Sequence, residues 1–107
     1  MASNRFDVLL TREAEKDLRR LHAHTGRVTR AILKLEVDPF LGHPLTGSLK
    51  GTRSLEFSLP GSGVYRAVYV VSDATRVCLV LIVGPHENIY DWAERRVKAL
   101  RRAGQIP

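Results

Sequence analysis

The run GVYRAVYVV, residues 63–71, reads as a β-strand in which nearly every side chain is apolar or aromatic, yet it carries Arg66. Side chains alternate along a strand, so Arg66 shares a face with Val64, Val68 and Val70. A charge left unpaired in such company costs on the order of several kcal/mol, so the guanidinium needs an anion. Glu56 stands on the polar face of the preceding strand, and His86 follows directly on the next one. Tyr90 comes one helical turn after His86. If these strands form a meander, a guanidinium, a carboxylate, an imidazole and a phenol converge on one sheet surface.

Those groups suit phosphodiester chemistry on RNA. The ribose 2′-hydroxyl is an internal nucleophile beside its own phosphate, so the reaction needs no metal-activated water. It needs a base for the 2′ proton, an acid for the 5′-oxygen, and fixed positive charge on the phosphorane. A positioned acid or base contributes roughly 10²–10⁴-fold, and pre-oriented charge commonly matters as much. Histidine carries protons most readily near neutral pH.

The elements that must hold these groups are legible in the pattern. Residues 6–11 read as a first strand. Thr11 is an N-cap for a helix over 12–25, with Glu13, Glu15 and Asp17 near its positive end and Ala14, Leu18 and Leu21 as its apolar stripe. A second helix over 27–37 carries Val28, Ile32 and Leu35, and Asp38-Pro39 stops it. A glycine- and proline-rich loop follows, over 38–52. Strands are expected over 53–59, 64–71 and 76–83, the first alternating Leu55, Phe57 and Leu59 with Ser54, Glu56 and Ser58. The other two are apolar on both faces and belong at the centre of the sheet, with Tyr65 and Tyr69 in the core opposite Arg66. A last helix over 87–102 shows a stripe of Ile89, Trp92, Ala93, Val97 and Leu100. The order β-α-α-β-β-β-α describes a single α+β domain, a helical hairpin on a mainly antiparallel four-stranded sheet.

Composition bounds the function. A chain of 107 residues with 44% hydrophobic content can bury a core without staples. Its one cysteine, Cys78, lies in the apolar run VCLVLIV and reads as a buried small hydrophobe in a reducing compartment. The N-terminus turns charged too early for a signal peptide, and no apolar run approaches the ~18 residues of a membrane span, so a cytoplasmic protein is expected. His22, His24 and His43 show no metal-ligand spacing with one another or with Cys78, and no metal or cofactor is expected. A net charge of +6 favours a polyanionic partner: nucleic acid, the ribosome or an acidic protein. Lys50 and Arg53 in the loop region, and Arg19, Arg27, Arg30 and Lys34 on the helical hairpin, are the cations placed to meet one.

The element order, together with DPF, PLTGSLKG, GVYRAVYVV and VGPHENIY, resembles the RelE/ParE superfamily of bacterial toxins over about residues 6 to 97. Leu49-Lys50-Gly51 matches the family's leucine-basic-glycine triplet, and Tyr65-Arg66-Ala67-Val68-Tyr69 its Tyr-Arg-x-x-Tyr strand. The resemblance to the RelE branch implies a toxin of a type II toxin–antitoxin system that enters the ribosome and cleaves mRNA by metal-free 2′-hydroxyl attack. Its partners would be the ribosome, mRNA and an acidic, partly disordered antitoxin. Arg66 would stabilise the scissile phosphate, Tyr90 would orient the substrate, and Lys50 with Arg53 would hold RNA. Related branches carry a catalytic histidine near the end of the last strand, the place of His86. Two departures stand out: Glu56 and Ser58 occupy positions where well-known RelE members carry lysines, and Pro85 occupies the family's histidine position. Either base and acid have passed to Glu56 and His86, or the nuclease is impaired. The ParE branch, which keeps the fold and poisons DNA gyrase, is the alternative, and an inactive antitoxin- or RNA-binding relic is a third reading.

Overall fold

The computed structural model describes residues 5–85 and 88–107. Strand β1 (Asp7–Leu10) runs directly into helix α1 (Arg12–Arg20). Thr11 is extended and its hydroxyl accepts from the Ala14 N–H at 3.1 Å, the N-cap its side chain predicts. Helix α1 stops well short of residue 25. His22 takes φ +47°, a left-handed backbone that cannot continue a helix, and a 3₁₀ turn over His22–His24 follows. Helix α2 (Thr25–Leu33) therefore starts earlier than the expected residue 27, with Gly26 inside its first turn, and ends in a 3₁₀ turn over Lys34–Glu36.

Four more strands follow: β2 (His43–Pro44), β3 (Arg53–Leu59), β4 (Gly63–Ser72) and β5 (Val77–Pro85). Helix α3 (Ile89–Arg102) closes the order. The sheet reads β1-β5-β4-β3-β2, so the two strands that are apolar on both faces lie inside it, as their sequence requires. Strand β1 is parallel to β5 and every other pairing is antiparallel. Among the described residues the short β2 makes this a five-stranded sheet rather than the expected four.

Each sheet face has its own core. Ala14, Val28, Ile32 and Leu35 of the helical hairpin pack on Leu55, Leu59, Ala67, Tyr69, Cys78 and Val80. On the opposite face, Ile89, Ala93 and Val97 of α3 pack on Val68, Leu81 and Ile82. An irregularity at Val68/Tyr69 lets the β5 side gain a residue, so that Leu81 and Ile82 both face α3. Beyond it the alternation of β5 is shifted by one, and Gly84 comes opposite Arg66 on the α3 side. Two sequence expectations change here. Trp92 lies off the centre of the α3 stripe and is 54% exposed, because Ile89, Ala93 and Val97 fill the contact. Ser54, expected on an open face, is wholly buried among groups brought from α3.

Helix α3 is clipped to α1 around the edge of the sheet. Strand β1 ends at Leu10 opposite Val80, leaving that edge of the β5 backbone beyond Val80 without a strand partner among the described residues. The Asp17 carboxylate accepts from the Val83 N–H at 3.1 Å and from the Arg96 guanidinium, one contact at 3.0 Å, while Arg96 also donates to the Leu81 carbonyl at 3.0 Å. The ion pair thus supplies what a neighbouring strand would have supplied. Removing one partner of such a pair strands the other charge and a backbone donor. Asp17→Ala should lower stability by about 2–4 kcal/mol, read as a fall in the urea midpoint.

Burial pushes the Cys78 thiol from its ordinary 9.0 up to about 11. The folded state holds the proton more tightly than the unfolded state does. This contribution to stability is therefore complete below pH 9.0 and lost as pH rises toward about 11. Urea midpoints measured across that interval should fall more steeply for the wild type than for Cys78→Ala.

Candidate functional site

The register of β3, β4 and β5 lines up Glu56, Arg66 and Gly84 as direct neighbours across the sheet. Odd and even positions separate the faces, so Glu56 and Arg66 both point to the α3 side, away from the helical hairpin. Asn88, in a left-handed conformation at φ +59°, turns the chain into α3 and sets Tyr90 in its first turn, over the same sheet row.

The polar groups form one connected chain. Arg66 Nη2 donates to Glu56 Oε2 at 2.9 Å and Nη1 donates to the Tyr90 hydroxyl at 2.7 Å. That hydroxyl in turn donates to Ser54 Oγ at 3.3 Å. The Arg66 side chain is only 15% exposed, whereas Glu56 is 51% exposed. The anion that Arg66 requires is therefore a rim carboxylate open to solvent on one side, not an internal acid. Nε of Arg66 is buried and has no acceptor among the described residues. The arrangement presents a fixed positive charge, an accessible carboxylate oxygen and a phenol in one place.

A groove of about 390 Å³ runs along the outer edge of β3, where β2 covers only Arg53 and Ser54. Lys34, His43, Ser54, Glu56 and Phe57 line it. Its outer wall depends on the DPFLGH loop, which Tyr69 and Arg53 pin. The buried Tyr69 hydroxyl donates to the Pro39 carbonyl at 2.7 Å and accepts from the Gly42 N–H at 3.0 Å. Desolvation raises the pKa of that hydroxyl, so it stays a donor. Gly42 has no room for a side chain, since an added Cβ would lie 2.6 Å from the Ser54 carbonyl oxygen.

The structure gathers only part of the expected set. Glu56, Arg66 and Tyr90 meet; His86 lies outside the described residues. Arg53 is committed elsewhere: Nε donates to the Gly42 carbonyl at 2.8 Å, Nη2 to the Phe40 carbonyl at 3.2 Å, and the guanidinium covers the Phe40 ring. It is a loop clamp on the opposite sheet face. Arg19, Arg27 and Arg30 sit on the hairpin side of the sheet, and of that group Lys34 alone reaches the groove beside Glu56. Lys50 is exposed near the far end of α3, its carbonyl bound by Arg101, about 16 Å of helix from Tyr90.

His43 and Ser54 are additions that sequence reasoning missed. Each sits across from the other in the β2–β3 pair, a register that no local pattern reveals. The Asp17–Arg96 pair did leave a trace. Asp17 interrupts the stripe of Ala14, Leu18 and Leu21, and Arg96 stands beside Ala93 and Val97 in the other stripe. Two opposite charges, each on an apolar helix face, call for one another.

A family model described as the ParE-like toxin of type II bacterial toxin–antitoxin systems matches residues 8–94. Among solved structures, the toxin–antitoxin complex RelBE2 from Mycobacterium tuberculosis contains a chain with 26% identity and a TM-score of 0.66, the match covering 75% of this chain and 90% of that one. A mutant of the E. coli toxin RelE in the free state gives 24% identity and a TM-score of 0.68, covering 90% and 98%. The YoeB/ParE toxin from Agrobacterium tumefaciens gives 20% identity and a TM-score of 0.60, covering 76% and 99%. A comparison with curated proteins found no match.

Glu56 is half exposed but Arg66 is largely covered, so Glu56→Gln, which leaves the guanidinium an amide oxygen in place of its carboxylate, should lower stability by about 1–2 kcal/mol by urea denaturation.

Proposed function

The chain is a member of the ParE-like toxins of type II bacterial toxin–antitoxin systems, and from that premise we propose that it is an mRNA endoribonuclease working on the translating ribosome. The observation that carries this reading is the linked row of Glu56, Arg66 and Tyr90 beside an open groove. In the reaction, the Glu56 carboxylate takes the proton of a ribose 2′-hydroxyl. The freed oxygen attacks the adjacent phosphorus, and Arg66 bears the charge that gathers on the phosphorane. Tyr90, hydrogen-bonded to Arg66 and Ser54, holds the guanidinium and offers a ring edge to the neighbouring base. The bond to the 5′-oxygen then breaks, and an imidazole returns a proton to it, leaving a 2′,3′-cyclic phosphate and a free 5′-hydroxyl. His86 is assigned that proton; His43 is a lining residue of the groove. A carboxylate base next to its own guanidinium replaces the lysines that the RelE branch places on β3. No metal enters the scheme.

The proposed partners are the ribosome with its mRNA, and an antitoxin whose acidic segment folds onto the basic surface and blocks the site. A second reading, a ParE-like inhibitor of DNA gyrase, draws on one specific observation. Two guanidinium nitrogens of Arg66 are already engaged and the side chain is largely covered, so substrate phosphate must share it with Glu56.

A bacterial translation extract separates the two. With ribosomes present, added protein should cut mRNA at codon-phased positions mapped by primer extension, and Arg66→Ala should slow cutting by about 10²–10³-fold. His86→Gln should cost about 10²-fold; undiminished cutting there moves the proton to another group and leaves the rest intact. Intact mRNA together with blocked DNA supercoiling would hand the case to the gyrase reading.

A further inference from the structure

Trp92 stands 54% exposed on α3, although its sequence pattern belongs to a core stripe. The Arg95 guanidinium lies over its ring, 5.0 Å from the centre. Arg95 lines a groove on the other flank of α3, whereas the indole lines a pocket of about 250 Å³ between α1, the end of β5 and α3. Ile82 and Ile89 are the buried lining of this pocket, and Pro85 with Trp92 its exposed lining. Asp17, Arg20 and Arg96 are its charged lining. The Asp17 carboxylate is already committed to the Val83 N–H and to Arg96. Arg20 approaches it only to 3.8 Å, with a side chain 74% exposed. Two guanidinium groups therefore face one carboxylate, and the donors of Arg20 stay open to a further anion.

An indole beside apolar side chains accepts a planar ring, and an uncommitted guanidinium accepts an oxyanion. A nucleotide carries both, ring and phosphate joined by one sugar. The size agrees with this. The pocket lies just below the range that encloses a drug-sized ligand, so it takes one ring rather than a docked helix. A lone carboxylate side chain would meet Arg20 but bring nothing to the indole. Gly84 also lines the pocket, and it is the cross-strand neighbour of Arg66. Adjacent strands lie about 5 Å apart, so a strand with one phosphate at Arg66 brings its next nucleotide toward Trp92. We propose that this pocket binds one nucleotide, its base against Trp92 and its phosphate on Arg20. A single-stranded RNA held at the Arg66 row is one source of that nucleotide, and a free mononucleotide is the other. The strand as source rests on the nuclease reading; the nucleotide site does not.

Trp92 is the one tryptophan of the chain, so its fluorescence reports on this pocket directly. The full chain is titrated with a single-stranded hexaribonucleotide, with GMP and with ribose 5-phosphate. Both nucleotide probes should quench the indole to saturation, and ribose 5-phosphate, which has no base, should not. A hexamer that binds about tenfold or more tighter than GMP names the strand as the source, and equal affinity names the free nucleotide; either result keeps the site. By anisotropy with a labelled hexamer, Trp92→Ala should weaken binding about fivefold or more, while Trp92→Phe stays within about twofold of the wild type. Arg20→Gln should weaken binding about fivefold and reduce the salt slope by about 1. Circular dichroism checks that each variant is folded, and the conservative Trp92→Phe keeps the test open if Trp92→Ala is not. The proposal fails if neither nucleotide probe quenches Trp92, if ribose 5-phosphate quenches as GMP does, or if Trp92→Ala and Arg20→Gln both bind within about twofold of the wild type. It also fails if the peptide Glu-Phe-Glu quenches at lower concentration than both nucleotide probes, which would mark an acidic segment of a protein partner. Quenching by the nucleotides, with no cleavage by the wild type in the translation extract, would keep the pocket and remove the nuclease reading alone. Codon-phased cleavage that is lost in Arg66→Ala, with Trp92 unquenched, would do the reverse.

Discussion

The molecule hangs on the carboxylate of Asp17. A sheet whose first strand stops at Leu10 leaves the last strand with bare backbone on one side, and bare backbone inside a fold is costly. Asp17 and Arg96 close that gap by accepting from Val83 and donating to Leu81. In doing so they join a helix on one face of the sheet to a helix on the other. Neither apolar core contains that link, since each packs its helix onto its own side. Tyr90 belongs to α3, so its place over Arg66 depends on this one pair.

Arg66 shows how a charge can be both restrained and usable. A guanidinium matched by a fully internal acid would be neutralised and shut away. Here Glu56 comes from the neighbouring strand and keeps half its surface in water, while Tyr90 and Ser54 complete the support from within. Such a network holds the cation in one orientation without sealing it.

Most of the architecture was legible because periodicity is a local property. The clean alternation of β3, the doubly apolar β4 and β5, and the stripes of α1 and α3 need only a dozen neighbouring residues to be read. The Glu56–Arg66 contact was legible too, since a tight turn at residues 60–62 fixes which residues face each other. What escaped depended on distance along the chain. His43 meets Ser54 only after a long loop has folded back, and Asp17 meets Arg96 across 79 positions. The break after α1 fell at His22 rather than Gly26 because one left-handed residue outweighs the glycine's permissiveness. Arg53, placed by charge among RNA contacts, instead spends its donors on the carbonyls of its own loop. Trp92 looked like core for want of any sign that smaller residues would fill the contact.

The parallel pairing of β1 with β5 has a bearing on how the protein is made. The first strand finds its neighbour only when Val77 to Val80 exist, and the clip that seats α3 waits for residue 96. A chain that ends before residue 90 has the strands that pair Glu56 with Arg66 but lacks the tyrosine that steadies them. Assembly of the site is thus deferred until the residues of α3 have been made.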